Sequence, residues 1–157
     1  MDRDLLMMTM KASISEVLEK MFFLPLDVSD AVDWSELWED PTALDPIAVR
    51  LAFSGPFSGH FLFLVPRGLG TGLTADFMGI EKKAVPPEHV EQTAKEILNM
   101  VAGTTFSDLV GQAIFQLGIP ETVSAETALV QSTSPDNEVF LGVETLQGRM
   151  GLLLVNG

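Results

Sequence analysis

Apolar residues recur at helical spacing in two stretches of the chain and alternate with a period of two in two others. Over residues 3 to 23, Met10, Ile14, Val17, Leu18 and Met21 follow steps of three and four, which predicts an amphipathic helix. The run Phe22-Phe23-Leu24-Pro25 ends it, because a residue before proline is driven out of the helical region. A second helix is predicted from Pro87 to about residue 110. Pro86 and Pro87 suit the positions before and inside a first helical turn, and Glu88 and Glu91 face the positive end of the helix dipole. The alternating stretches read as β-hairpins. In the first, over residues 47 to 65, Val49, Leu51 and Phe53 lead into the turn residues Ser54 to Gly59 and Phe61 to Val65 return the chain. In the second, strands Val139 to Glu144 and Arg149 to Val155 turn through Leu146-Gln147-Gly148.

Weaker patterns lie between these elements. Residues 27 to 46, rich in Asp, Ser and Pro, read as irregular, with a short helical turn at Trp34 to Trp38 whose two tryptophans cover the edge of the core. Arg67 to Gly72 reads as a glycine-rich loop, followed by a short helix from Leu73 to Met78 and a connection from Ile80 to Pro87. Gln112 to Ile119 reads as a strand or helix tail ending at Pro120, and Ala128 to Ser132 carries a weak strand signal.

The strong elements echo one another. Ser15 to Met21 aligns with Lys95 to Val101, and the hairpin from Val49 aligns with that from Val139, a glycine (Gly59, Gly148) preceding each return strand. This order predicts a duplicated helix-plus-hairpin unit, in which each helix covers the apolar face of a hairpin. The expected fold is α+β: an antiparallel sheet from two related units, with the two long helices packed on one face. The apolar last strand, Met150 to Val155, offers an edge for pairing between subunits.

Composition narrows the partners. A chain of 157 residues has the usual size of one domain and can bury roughly 70% of its unfolded surface. Hydrophobic residues at 46% argue against disorder. The net charge of −13 disfavours nucleic acid and anionic membrane and favours a basic surface on a partner protein. With no Cys there is no disulfide and no thiolate ligand, which suits a reducing cytoplasm. The start Met1-Asp2-Arg3-Asp4 is unlike a secretory signal, and the apolar runs are too short to span a bilayer.

Candidate chemistry concentrates on the second helix. At about 100° per residue, Ala94, Ile97, Leu98, Val101 and Ala102 share the core side, and Gln92, Glu96, Asn99, Met100 and Gly103 lie opposite. Glu96 and Asn99, three positions apart, point a carboxylate and a neutral amide outward together. Gly103 costs the helix about 1 kcal/mol relative to Ala, which close approach of another surface would explain. His60, in the expected hairpin turn, and His89, at the helix start, read as surface or capping residues. No metal-ligand spacing and no phosphate-cradling glycine motif are present.

The run Glu96-Ile97-Leu98-Asn99-Met100-Val101-Ala102-Gly103 resembles the Glu-x-x-Asn signature of the CheC/CheX/FliY family of chemotaxis phosphatases. Pro120 falls about where the family motif places a proline, and the hairpin with its following helix end, Phe77-Met78-Gly79, is similar to the family pattern. The resemblance covers most of the chain and is nearest to the CheX branch. It implies one CheX-like phosphatase domain acting on the aspartyl phosphate of a CheY-like receiver protein, as a homodimer, with no cofactor of its own and Mg²⁺ held by the partner. It implies that Glu96 engages the receiver's active-site lysine and Asn99 orients the attacking water, with Gln92, Met100 and Gly103 in partner contact. Gln92 stands where the family often has Asp or Ser. In the first helix Glu19 replaces the amide, so no active site is expected there. The alternative is a non-catalytic module of the same fold that docks a receiver or a flagellar motor protein.

Overall fold

The computed structural model describes residues 2–31, 34–109, 114–129 and 137–157. Its elements in chain order are α1 (Arg3–Phe22), β1 (Leu26–Asp30), β2 (Ile47–Ser54), β3 (Gly59–Val65), α2 (Arg67–Met78), α3 (Pro87–Leu109), β4 (Gln116–Leu117), β5 (Glu121–Val123), α4 (Ala125–Leu129), β6 (Glu138–Thr145) and β7 (Gly148–Asn156). Short 3-10 turns lie at Trp34–Glu36, Pro41–Leu44 and Lys82–Ala84.

The period-two stretches become the centre of a sheet ordered β1-β6-β7-β3-β2-β4, with β5 also pairing β2 and every pairing among the described residues antiparallel. At its middle β3 pairs with β7, and the register there is symmetric. Phe63, the fifth residue of β3, lies opposite Leu152, the fifth residue of β7. The expected duplication therefore appears as a local twofold relation between the hairpins β2–β3 and β6–β7. The outer strands obey it too. The strand after α1 pairs with the second hairpin, and the strand after α3 pairs with the first. Each unit thus completes the other's sheet.

Alternation sorts side chains onto two faces. One face, with Val49, Leu51, Phe61, Phe63, Leu152 and Leu154, is covered by α1 and α3, which pack on each other as well as on the strands. On the opposite face, Leu62, Leu64, Phe140 and Leu153 are covered by Trp34, Leu37 and Ala128. Trp34 is buried edge-on against Phe140, with ring centroids 4.4 Å apart, so it closes the second core as expected of a core-edge residue.

Several expectations are corrected. The final strand β7 is no edge: it is hydrogen-bonded to β6 on one side and β3 on the other. Its continuous apolar run reflects burial on both faces, and the outer strands are β1 at one end and β4 and β5 at the other. Within the segment read as irregular, Leu26–Asp30 is a strand. Its Leu26 and Val28 do alternate with exposed Asp27 and Ser29, but these polar types disfavour strands and mask the pattern. The glycine-rich segment from Arg67 is not a loop but the first half of α2. Gly70 is tolerated there because the helix packs closely: a β carbon at this position would lie 3.0 Å from Val90 Cγ1. Ala128, expected in a strand, lies in α4, while residues 130–132 of that expectation fall outside the described residues. Of Gln112 to Ile119, Gln116–Leu117 is a strand, and residues 112–113, like residue 110 at the end of the second helix, lie outside the description. Met21 is exposed rather than part of the core stripe of α1. His60 is a buried strand residue, not a turn residue, because β3 begins one position earlier at Gly59.

Leu152 sits fully buried on the local twofold. Leu152→Ala is expected to cost about 2–5 kcal/mol in urea unfolding, since a central position cannot collapse around the lost volume.

Candidate functional site

The candidate site is built on α3, and the helix is held along its length. It opens at Pro87, with the His89 amide donating to the Pro86 carbonyl at 3.0 Å. Val90, Ala94, Ile97, Leu98, Val101 and Ala102 are all buried, as the helical period predicts. Thr105, also buried, satisfies its hydroxyl by donating to the Val101 carbonyl at 2.7 Å. Near the C-terminal end Phe106 joins an aromatic cluster, stacked on Phe115 at 4.0 Å and packed against Phe53 and Phe61. A helix anchored this way presents its outer face with little freedom to roll.

On that outer face Gln92, Glu96 and Asn99 are exposed, and Met100 and Gly103 are half-buried. Among the described residues, neither the Glu96 nor the Asn99 side chain has a hydrogen-bond or ion-pair partner. Two grooves run beside the stripe. The first, about 330 Å³, lies against the C-terminal ends of α1 and α2, and Gln92, Glu96 and Met100 form its α3 wall. The second, toward α1, has Met100 and Gly103 on one wall and Glu16, Lys20 and Met21 on the other. Met100 is the ridge common to both. Asn99 lines neither groove and stands on the open crest of the helix.

The structure thus brings four of the five expected residues into two adjoining grooves and leaves the amide free for a surface that approaches from outside. Sequence reasoning missed the rest of the first groove. His89 lines it two turns before Glu96 on the same helix face, a spacing that could have been read. Phe22, Phe77 and Met78 come from other helices, and nothing local in the sequence ties them to Glu96.

The echo in α1 is chemically different. Glu16, the counterpart of Glu96, accepts a hydrogen bond from Lys20 at 2.8 Å. That hydrogen bond, and then the opposite charge of Glu16, raise the Lys20 ammonium above its ordinary pKa. Lys20 aligns with Met100, so α3 offers Glu96 no cation one turn on. Glu19 places an exposed carboxylate where α3 has its amide.

Among the described residues no group of three or more His, Cys, Asp or Glu is placed to hold a metal, and no helix is long and apolar enough to cross a membrane. A carboxylate, an amide and flanking apolar grooves can position another molecule's reacting group and a water.

Residues 47–144 match the family model described as chemotaxis phosphatase CheX. No curated protein matches the chain. Among solved structures, the chemotaxis protein CheX from Vibrio vulnificus superposes with a TM-score of 0.76 at 18% identity, covering 95% of this chain and 97% of that one. A CheC-like superfamily protein from Shewanella sp. PV-4 gives a TM-score of 0.76 at 17% identity, with 100% and 99% covered. A CheX–CheY–BeF₃–Mg²⁺ complex from Borrelia burgdorferi gives 0.70 at 11% identity, with 95% and 96% covered. These likenesses show the CheC-like fold.

Gly103 has open space where a β carbon would stand, so no packing among the described residues demands glycine. Gly103→Ala is expected to stabilise the protein by about 1 kcal/mol in urea unfolding, the ordinary helix-propensity difference.

Proposed function

The chain belongs to the CheX family of chemotaxis phosphatases, and we propose that it hydrolyses the aspartyl phosphate of a CheY-like receiver protein through Glu96 and Asn99 of α3. The carrying observation is the pairing of these two exposed side chains on one face of an anchored helix, with Glu19 in place of the amide on the echoing helix. The partner is of the kind held by the Borrelia relative, whose complex contains CheY.

An acyl phosphate is already activated, so hydrolysis needs mainly a water placed in line with the phosphorus and a stable docking geometry. α3 inserts toward the receiver's phosphorylation site. Asn99 holds the attacking water: an amide both accepts from and donates to water and adds no charge. A carboxylate there would repel the incoming phosphoryl oxygens, which is why the α1 face with Glu19 is silent. Glu96 meets the receiver's active-site lysine and fixes the register of the two proteins. Gln92 and Met100 contact the partner on either side of Glu96, and Gly103 permits close approach one turn on. The receiver carries the Mg²⁺ that neutralises the phosphoryl group, and this chain contributes no cofactor. The protein works as a homodimer. Because β7 is interior, subunit pairing falls to an outer strand or to a helix face.

Decay of phosphorylated receiver in the presence of the protein tests the reading. Asn99→Ala is expected to remove most of the acceleration, by roughly tenfold or more, while receiver binding persists. Glu19→Ala is expected to leave the acceleration intact, and an equal loss there would disprove the silent first helix. Binding without any acceleration by the unaltered protein would make it a docking module instead.

A further inference from the structure

The first groove beside Glu96 has walls that the hydrolysis step does not use. Phe22, Phe77, Met78 and Met100 make it largely apolar, and among the described residues Glu96 is its one carboxylate and no lysine or arginine lines it. Its rim exposes large apolar side chains: Phe77 is 49% and Met78 43% exposed. Exposed apolar residues gathered around a concave site mark binding surfaces more often than residues scattered singly do.

A second feature points the same way. α1 ends at Phe23, which has φ 52° and is 86% exposed. α2 ends in the same left-handed conformation, but at Gly79, the residue type that adopts it without strain. The N–H groups of Phe23 and Leu24 both reach the Leu18 carbonyl, so the turn needs a left-handed residue but gains nothing from an aromatic one. The flanking residues explain the position. Phe22 lines the first groove, packs 5.6 Å from the Phe77 ring, and follows Met21, which lines the second. A strained, solvent-facing aromatic that directly follows two groove-lining residues is the pattern of a recognition residue.

We infer that this groove, with Phe77 and Met78 on its rim and Phe23 next in the chain to its wall residue Phe22, docks the receiver by accepting an apolar side chain next to the basic group that meets Glu96. The proposal rests on the phosphatase reading above and identifies the surface that selects the partner. Two properties choose the occupant. The groove is continuous with the Glu96–Asn99 stripe through Glu96 and Met100, so whatever covers the stripe covers the groove. Its charge is negative in a chain of net −13, so the matching segment carries a cation beside its apolar side chain.

The test measures the dissociation constant for a receiver held in its activated form by beryllofluoride and Mg²⁺. Phe23→Gly and Phe77→Ser are each expected to raise Kd about tenfold or more. Ile119→Ser, which removes an equally exposed apolar residue beside β5, is expected to stay within twofold of the unaltered protein. Thermal unfolding of Phe23→Gly is expected to show unchanged or higher stability, because glycine relieves the left-handed position; this separates docking from folding. Kd values for Phe23→Gly and Phe77→Ser within twofold of the unaltered protein would overturn the inference, as would an equal loss in Ile119→Ser. Tight binding that depends on Phe23 and Phe77, without phosphatase activity, would uphold the docking groove and overturn the hydrolytic reading. No binding by the unaltered protein would overturn both.

Discussion

Val90, Ala94, Ile97, Leu98, Val101 and Ala102 commit one side of α3 to the core. Because a helix has a single opposite side, the same commitment decides where Gln92, Glu96 and Asn99 point. Burying each of the larger side chains contributes about 1.5–3 kcal/mol, so rolling the helix enough to hide Glu96 would sacrifice several such contacts. Phe106 adds a second restraint from the aromatic cluster near the C-terminal end. The outward stripe is therefore as well placed as the core is well packed, and a site that works by positioning depends on that.

The sheet beneath is arranged about a local twofold through the Phe63–Leu152 pair, with outer strands exchanged between the two units. Such symmetry supplies two equivalent helices on one face and would by itself supply two equivalent outward stripes. Side-chain chemistry breaks the equivalence. On α1 the Glu16 carboxylate is engaged by Lys20 and a second carboxylate follows at Glu19; on α3 the corresponding places hold Glu96, Met100 and Asn99. The grooves are unequal as well, because α2, which follows the first hairpin, brings Phe77 and Met78 beside the N-terminal half of α3.

The segments whose local pattern disagrees with their place in the fold share one physical origin. The strand Leu26–Asp30 was hidden by Asp and Ser, which an outer strand tolerates because one of its faces meets water. The glycines of α2 read as loop because local propensity counts against them, while the contact of Gly70 with Val90 shows that close helix packing favours a missing β carbon. The run Met150 to Val155 read as an edge when its apolarity on both faces belongs to a central strand. In each case a neighbour distant in sequence outweighed the local preference.

Periodicity alone determined the two long helices, the two hairpins, the core side of α3 and the outward pairing of Glu96 with Asn99, because those features depend on residues within a few positions of one another. The alignment of α1 with α3 also set Asn99 against Glu19, and Met100 against Lys20, from the sequence alone. Only the tertiary structure decided that β7 lies at the centre of the sheet, that a second core sits under Trp34, and that Phe22, Phe77 and Met78 stand beside Glu96. These placements arise from contacts between elements far apart along the chain. Such contacts depend on how whole faces are buried together, a quantity that no local window of the sequence contains.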